Sequence, residues 1–277
     1  MSKKILPVSV VIPTLGGGQL INTVTKLNNG EFVPAEILVC IPKEFNMDFN
    51  LPSNTVLIIT PEKGQVFQRA LGFKNSIQPF VLQLDDDVEL ASDSFKMLYD
   101  KLTSLGVHNA VAPIWIDSIT QNAVHKYKSG LISIFENMII YFVIGAPWGI
   151  KRMGTVSKSG VNYGVDKNFM KDELLRVDWL PGGCVMYYKQ DLYCENYYPF
   201  QGKAFSEDLI HSFILRNNGV NLFVVRDSIA LTPIPVNKYD SNEFSLKYKA
   251  LKYFNNLQSG SRIRLFLWGL ISKIRRV

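Results

Sequence analysis

Short apolar runs alternate with helical patterns through the first hundred residues of the chain. The runs consist mainly of aliphatic and β-branched residues, as is typical of strands buried on both faces. They are Val8–Ile12, Glu36–Ile41, Val56–Thr60 and Phe80–Leu84. Two segments between them, Gln19–Asn28 and Gln65–Ser76, place apolar residues at helical spacing. This alternation predicts an α/β protein with a mostly parallel central sheet flanked by helices.

The second half of the chain carries a less regular pattern. The apolar stretch Leu131–Ile150 contains an acid, glycines and a proline, which makes it marginal as a membrane span and favours a buried or interfacial segment. Gly145–Gly164 is rich in Gly, Ser, Lys and Asn and predicts a mobile loop. A strand is predicted to begin at Cys184, followed by a helix at Ser206–Asn218 with its first serine as N-cap, and a last strand at Asn221–Val225.

The C-terminal segment Arg262–Val277 has an amphipathic helical pattern. Its apolar residues follow one helical stripe. The stripe consists of Ile263, Phe266, Leu267, Leu270, Ile271 and Ile274. Basic residues lie off the stripe, as they do in helices that lie in the plane of a membrane surface. We therefore expect this segment to bind the membrane peripherally; docking on the protein's own core or on a second subunit is the alternative.

The net charge of +6 is concentrated near the C-terminus. Residues 241–277 contain eight Lys or Arg and one acid, Glu243, whereas the rest of the chain is close to neutral. A basic segment beside a neutral body fits a membrane surface or another anionic partner, and not a nucleic acid, which is usually bound by a basic folded face. The three cysteines show no CxxC spacing, and the apolar run after Met1 is too short for a signal peptide, so we expect a cytoplasmic protein.

The acidic triplet Asp85-Asp86-Asp87 follows directly after the predicted strand Phe80–Leu84. Ligands of open α/β sheets bind beyond the carboxyl ends of the strands, which is where this triplet falls. Strand alternation would point Asp85 and Asp87 to one side and Asp86 to the other. Two carboxylates on one side form a hard oxygen site that suits Mg²⁺ or Mn²⁺ together with substrate phosphates. A solvated acidic loop is the alternative.

A second acidic pair, Glu207 and Asp208, lies at the start of the predicted helix. Acids in the first turn of a helix are stabilised by its dipole, which alone would explain the pair. A carboxylate at this place would also suit a general base whose pKa and reach match an acceptor hydroxyl. His211 lies one turn later on the same side of the helix, where it would orient the base, contact a phosphate or have only a structural role.

Five segments of the chain resemble family 2 glycosyltransferases of the GT-A (nucleotide-diphospho-sugar transferase) fold. They are VSVVIPT (8–14), EKGQVFQRALG (62–72), FVLQLDDDVEL (80–90), VDWLPGGCVMYY (177–188) and SEDLIHSFILRNNG (206–219). The pattern is similar to that of rhamnosyltransferase-like enzymes of bacterial surface-polysaccharide synthesis. The resemblance implies an inverting, metal-dependent transfer of a single sugar from a nucleotide-sugar donor to a glycan or lipid-linked glycan acceptor.

The resemblance also implies a role for each matching position. Donor binding falls to Pro13, Thr14, Lys63, Gly64, Arg69, Asp85 and Asp86. The divalent metal, Mn²⁺ or Mg²⁺, falls to Asp87 with Asp85, and Asp86 is able to substitute for either. Asp208 takes the place of the catalytic base, with Glu207 beside it. Acceptor and sugar binding fall to Trp179, Gly182, Gly183 and His211.

The same resemblance divides the chain into a GT-A catalytic domain, 1–235, and a basic C-terminal amphipathic helical extension, 236–277. Within the catalytic domain, 1–110 is expected to form the nucleotide-binding half and 111–235 the acceptor half. The expected partners are the nucleotide-sugar donor, the glycan acceptor and the cytoplasmic face of the inner membrane, with a homodimer left open.

Two features depart from the family pattern. The acid expected directly after the second strand is absent and only Glu44 lies near it, and no histidine follows the last predicted strand. These two departures keep a catalytically inactive nucleotide-sugar-binding scaffold as an alternative, and a nucleotidyltransferase, which would share the sheet and the acidic metal chemistry, is another. No QxxRW motif follows, which argues against a processive polymerase with a membrane channel. Gly16–Gly18 would suit the phosphate loop of a nucleotidyltransferase, but no Lys or Arg follows it before Lys26.

Overall fold

The computed structural model describes residues 3–45, 51–127, 131–233 and 241–274, and the statements below concern these residues. The strands are β1 Lys4–Pro13, β2 Phe32–Pro42, β3 Thr55–Thr60, β4 Phe80–Leu84, β5 Glu89–Leu90, β6 Asn109–Asp117, β7 Leu174–Val177, β8 Cys184–Tyr188 and β9 Asn221–Thr232. The α-helices are α1 Gln19–Asn29, α2 Gln65–Asn75, α3 Ser94–Leu105, α4 Leu131–Ile139, α5 Glu207–Asn217, α6 Ser241–Leu257 and α7 Arg262–Ile274.

The described strands form one mixed sheet in the order β3-β2-β1-β4-β8-β6-β9-β5, with β7 paired to β9. Strands β1 to β4 are mutually parallel, so their carboxyl ends meet at one edge of the sheet. Strand β8 runs antiparallel to β4 and pairs Cys184 with Leu84. Because of this reversal, the turn that precedes β8 reaches the edge where β4 ends and the acidic triplet begins.

The predicted α/β class and helix-flanked sheet are confirmed. Strand β4 has the predicted bounds, and the other predicted strands extend further than their apolar runs. The antiparallel β8 makes the sheet mixed in its second half. The sequence pattern did not predict β6, because Asn109 and Pro113 are of types depleted in strands, and it did not predict α3 or α6.

The segment Gly145–Gly164 is packed rather than solvated, which corrects the expectation of a mobile loop. Arg152 is buried; its guanidinium carbon lies 4.8 Å from the centroid of the Tyr127 ring and 5.4 Å from that of Tyr163. The backbone N–H of Ser261 donates to the Lys158 carbonyl at 2.6 Å. A segment of small and polar residues is exposed only when no other element packs on it. Here aromatic rings and the C-terminal helices pack on the segment.

Helices α6 and α7 pack on the body of the protein. Leu251 and Phe254 of α6 and Leu265 of α7 share an apolar core with Trp179 and Leu209. The predicted C-terminal extension is therefore joined to the rest of the fold by a shared core. The division at 235–236 lies outside the described residues and stays a prediction.

Candidate active site

A cleft of about 450 Å³ opens at the carboxyl ends of the parallel strands. Its walls come from the ends of β1 and β4, from the start of α2 and from the loop before α5. The lining residues are Pro13, Thr14, Leu15, Gly17, Lys63, Gly64, Gln65, Gln68, Asp86, Gly202, Lys203 and Ala204. Five of the seven predicted donor-binding residues therefore lie together, since only Arg69 and Asp85 are missing from this lining.

Asp86 is fixed in the cleft by contacts to the end of β1 and to α1. The Thr14 hydroxyl donates to Asp86 Oδ2 and itself accepts from the Gly16 N–H at 2.9 Å. The Thr23 hydroxyl donates to the Asp86 carbonyl at 2.8 Å. Burial, opposed by the Thr14 hydrogen bond and reinforced by the charge of Asp85, raises the pKa of Asp86. This carboxylate is therefore the acidic group that faces a ligand in the cleft.

Asp85 points away from the cleft, into the protein. Its Oδ1 forms an ion pair of 2.5 Å with Nη2 of Arg69, and Gln65 donates to the same carboxylate at 3.3 Å. Strand β4 ends at Leu84 and the triplet lies in a turn, so strand alternation does not extend to it. Strand alternation therefore does not set the relative directions of the Asp85 and Asp87 side chains, and the pairing of the two at a metal stays a prediction.

Arg69 joins the acidic triplet to the start of α5. Its side chain is 2% exposed, and its Nη1 pairs with Oε1 of Glu207 at 2.5 Å while its Nη2 holds Asp85. Burial acts to lower the pKa of Arg69, but the two carboxylates outweigh it and raise the pKa. The guanidinium is thus permanently charged and is not among the residues that line the cleft, and its assignment to donor binding stays a prediction.

Glu207 uses both carboxylate oxygens within the protein. Oε1 accepts from Arg69, and Oε2 accepts from the Tyr197 hydroxyl at 2.8 Å. Its side chain is only 8% exposed. A carboxylate held in this way is not available to remove a proton from a substrate, so Glu207 positions the site and Asp208 is the remaining candidate base.

Asp208 has the pKa of a general base that works near neutral pH. Burial, and next the negative charge of Glu207, raise its pKa to about 7. Ser206 stands at the N-cap position with a left-handed backbone (φ 55°). Its hydroxyl makes no capping hydrogen bond, so the predicted side-chain cap is wrong. Since the favoured catalytic pKa lies near the working pH, Asp208 is suited to accept a proton from a hydroxyl group.

The turn Gly182-Gly183 passes so close to Glu207 and Asp85 that no larger residue fits at either position. A Cβ at Gly182 would collide with Oε1 of Glu207, and one at Gly183 would lie 2.7 Å from the Trp115 ring and 3.2 Å from Oδ2 of Asp85. The Asp85 N–H donates to the Gly183 carbonyl at 2.8 Å, which continues the β4–β8 pairing. The two glycines therefore let the backbone approach the site closely.

Two of the residues assigned to acceptor and sugar binding, Trp179 and His211, are buried, and their assignment stays a prediction. Trp179 is 4% exposed, and its indole N–H donates to the Tyr163 carbonyl at 2.9 Å. His211 is 3% exposed and stacks on Tyr197, with ring centroids 5.1 Å apart. Burial, assisted by the charge of Arg69, lowers the pKa of His211 to about 3 and keeps the ring neutral. Aromatic rings from other elements, Phe73, Tyr187 and Tyr197, and not the i, i+3 spacing on the helix, decide where this ring lies.

The carboxylates that remain for a divalent metal are Asp86 and Asp87. Partial burial of its carboxyl group, and next the charges of Asp85 and Asp86, raise the pKa of Asp87. Neighbouring carboxylates whose negative charges have no positive partner are stabilised by a bound cation. Arg69 already balances the charge of Asp85, so the rule applies to Asp86 and Asp87. Within the described residues no group of three or more His, Cys, Asp or Glu forms a complete metal site. The arrangement fits Mg²⁺ or Mn²⁺, which typically use one or two carboxylates with substrate phosphates.

Sequence reasoning missed Gln68 and Lys203. The Gln68 amide donates to the carbonyls of Thr14 and Cys40 at 2.8 and 2.7 Å, and so ties the ends of β1 and β2 together. Lys203 lines the cleft from the loop before α5, and its ammonium group pairs with Glu243 of α6 at 3.4 Å. Its place three residues before Ser206 was the available signal for Lys203, while no sequence signal marks Gln68.

No family model matches the chain, and no curated protein matches it. Among solved structures, GalNAc-T7 with UDP, GalNAc and Mn²⁺ is similar, with a TM-score of 0.57 and 16% identity over 85% of this chain and 44% of that chain. S. aureus TarS 1–349 in complex with UDP-GlcNAc has a TM-score of 0.50 and 13% identity over 89% of this chain and 65% of that chain. This chain thus spans less than two thirds of either neighbour.

These neighbours are glycosyltransferases of the GT-A fold. At such low identity the likeness establishes the fold, and it confirms the GT-A fold implied by the sequence resemblance. In the part of the chain that the structure describes, no helix combines the length and apolar character needed to cross a membrane.

Proposed function

We propose that this chain is an inverting, metal-dependent glycosyltransferase. It moves a single hexosyl or deoxyhexosyl group from a nucleotide-sugar donor to a glycan or lipid-linked glycan acceptor in bacterial surface-polysaccharide synthesis. The GT-A fold and the donor ligands named for its structural neighbours, UDP and UDP-GlcNAc, support the donor class.

The observation that carries the proposal is the link between the acidic triplet and Asp208. Buried Arg69 holds Asp85 and Glu207 together, although they are distant in sequence. Asp86, the neighbour of Asp85, faces the cleft, and Asp208, the neighbour of Glu207, has a pKa of about 7. One guanidinium thus joins the residues that directly precede the cleft-lining Asp86 and the proposed base Asp208.

The chain's own residues account for the proposed steps. Lys63 and the Thr14 region, which line the cleft, bind the nucleotide diphosphate. The Gly182-Gly183 turn holds Glu207 and Asp85 in place by its close approach to both carboxylates. Asp208 takes the proton of the acceptor hydroxyl, whose oxygen attacks the anomeric carbon. The bond from that carbon to the diphosphate breaks, and its electron pair leaves with the nucleoside diphosphate. A divalent ion held by Asp86 and Asp87 would neutralise charge that develops on this leaving group.

The first test is a thermal-shift screen of UDP, dTDP, GDP and CMP with and without Mn²⁺, followed by turnover of the sugar conjugate of the nucleotide that binds. Stabilisation by one nucleotide only with Mn²⁺, and release of that nucleotide on turnover, are expected. The Asp208→Asn variant should keep nucleotide binding and lose turnover. Binding without turnover in the wild type would indicate a scaffold, and release of pyrophosphate from a nucleoside triphosphate would indicate a nucleotidyltransferase.

A further inference from the structure

The predicted apolar stripe of α7 faces outward. Helix α7 docks on the protein through Leu265, which is 2% exposed and lies in the core shared with α6. On its other side Ile263 is 73% exposed and Phe266 is 57% exposed, and Leu270 is exposed as well. The helix therefore both packs on the protein's own core and presents large apolar side chains that the described residues do not cover.

A second element presents apolar side chains beside it. Helix α4 continues into a π-helical turn, Ile140–Ile144. Phe135 and Phe142 are each 66% exposed, and Met138 and Tyr141 are about half exposed. Sequence analysis left this stretch as buried or interfacial, and the structure places it at the surface.

The two elements form one continuous surface, which we call the α4–α7 face. Helix α7 packs against the π-helical turn. The Arg264 side chain donates to the Phe142 carbonyl, and its Cδ would lie 3.1 Å from a Cβ added at Gly145. Soluble monomers rarely expose contiguous apolar patches of more than a few hundred Å², so a surface of this kind marks a binding site.

The charges around the α4–α7 face favour an anionic partner. Lys151, Lys158, Arg262 and Lys273 are exposed on the segments that carry the face. In the described segments 131–158 and 261–274 the single acid is Glu136, which is half-buried. A symmetric dimer through this face would bring the basic residues of the two copies together, which disfavours a second copy as its occupant.

We propose that the α4–α7 face binds the surface of an anionic lipid bilayer. Apolar side chains from both helices insert at the level of the acyl boundary, and the basic residues contact the headgroups. Tyr141 and the half-exposed Trp148 are of the types enriched at membrane interfaces. The membrane contact thus involves α4 as well as the C-terminal helix, and it fixes the orientation of the protein on the bilayer.

This orientation would determine how an acceptor anchored in the bilayer reaches the active site. Only this step rests on the proposed function. Helix α6 packs against both α5 and α7. Its Lys247 is near enough to Asp208 to lower the pKa of that carboxyl against the larger effect of burial. The base is therefore connected to the membrane-binding surface through one helix, as suits an acceptor anchored in the same bilayer.

The test is cosedimentation of the full chain with vesicles of phosphatidylcholine alone and with about 30% phosphatidylglycerol. Binding to the anionic vesicles that weakens at high salt is expected, because the headgroup attraction is screened. The double variant Phe135→Ser, Phe266→Ser should lower the partition coefficient at least about tenfold, since each phenylalanine loses most of its apolar transfer energy. The matched double variant Ile5→Ser, Ile77→Ser alters equally exposed side chains (71% and 72%) and should bind as the wild type does.

Circular dichroism and nucleotide-induced thermal shifts show whether each variant is folded and whether the donor cleft is intact. If the phenylalanine variant is unfolded, Lys151→Glu with Lys273→Glu replaces it and should also lower binding. The proposal is overturned if the wild type does not bind anionic vesicles or if the folded variants bind as tightly. It is also overturned if light scattering shows that the phenylalanine variant merely disrupts a dimer. Loss of vesicle binding with unchanged nucleotide shifts separates this proposal from the proposed function.

Discussion

Exchanging the two neighbouring acids at the start of α5 for their amides should have opposite effects on stability. Glu207→Gln removes a negative charge from an ion pair in which both side chains are almost fully buried, at 2% exposure for Arg69 and 8% for Glu207. Removing one partner of a buried pair typically costs about 3–5 kcal/mol when the other charge is left uncompensated. Arg69 keeps Asp85 as a second partner, which reduces this cost. The glutamine carbonyl can still accept a hydrogen bond from Tyr197 or Arg69, so we expect the lower end, about 3 kcal/mol.

The expected change in melting temperature follows from the size of the protein. For chains of somewhat smaller size, 1 kcal/mol shifts the midpoint by about 2–4 °C, so Glu207→Gln should lower it by roughly 6–12 °C. The matched control is Glu173→Gln, which breaks the exposed ion pair with Lys101 and should cost less than about 1 kcal/mol.

Asp208→Asn should stabilise the protein at alkaline pH. The carboxyl of Asp208 has a pKa of about 7 in the folded protein against 3.8 for an ordinary aspartate. The folded state therefore holds this proton more tightly than the unfolded state, and stability decreases as the pH rises from about 4 through 7. The asparagine variant lacks this decrease, so it should match the wild type near pH 4 and exceed it at pH 8.

Differential scanning fluorimetry at several pH values, supported by urea unfolding, measures both effects without knowledge of the substrate. If Glu207→Gln has the same melting temperature as the wild type, Glu207 is not the buried partner of Arg69. If Asp208→Asn is destabilised at pH 8 as strongly as Glu207→Gln, the division into a structural and a tunable carboxylate is wrong.

Three further predictions concern the proposed activity and the geometry of the site. Turnover of the donor should rise about tenfold per pH unit below pH 7 and level off above it, because Asp208 must be ionised. A flat profile between pH 5 and 9 would contradict this, and Asp208→Asn should lower the rate by about 10²–10⁴-fold. Asp86→Asn and Asp87→Asn should each weaken Mn²⁺-dependent nucleotide binding at least about tenfold by calorimetry, and unchanged affinity would place the metal elsewhere. Gly182→Ala should lower the melting temperature, because the added Cβ collides with the Glu207 carboxylate of α5. Gly18→Ala is the control, since its Cβ meets no atom within 4 Å. Equal melting temperatures of the two variants would contradict the close approach of the Gly182 backbone to Glu207.

The periodic parts of the chain were the most predictable from the sequence. The runs that form β1, β2 and β4 are continuous and apolar because those stretches are buried on both faces, and the acidic triplet follows the last of them. The run that forms β3 is apolar as well, although this strand lies at the edge of the sheet and Val56, Leu57 and Ile59 are exposed. Helices α1, α2, α5 and α7 were predicted to within a few residues because each has a one-sided apolar pattern. Five residues predicted at the donor site lie together because parallel strands bring their carboxyl ends to one edge.

Long-range pairing could not be predicted in the same way. Arg69 was assigned to donor binding from its place in a sequence motif, and no local pattern indicated that tertiary folding places Glu207, 138 residues away, against its guanidinium. Trp179 and His211 were assigned to the acceptor from their neighbours in sequence, yet each packs into an apolar layer contributed by other elements. Burial depends on which elements cover a side chain, and a local pattern does not contain this information.

The sequence by itself determined six strands, β1 to β4, β8 and β9, together with their order of appearance, the place of the acids at strand and helix ends, and the amphipathic character of α7. Only the tertiary structure decided that Asp86 rather than Asp85 faces the cleft, because a turn replaces strand alternation after Leu84. The tertiary structure also decided that α7 packs on the protein through one side and joins α4 in an exposed apolar surface through the other. An amphipathic pattern specifies that one face of a helix avoids water, whereas the packing of its neighbours determines which apolar residues the protein itself covers.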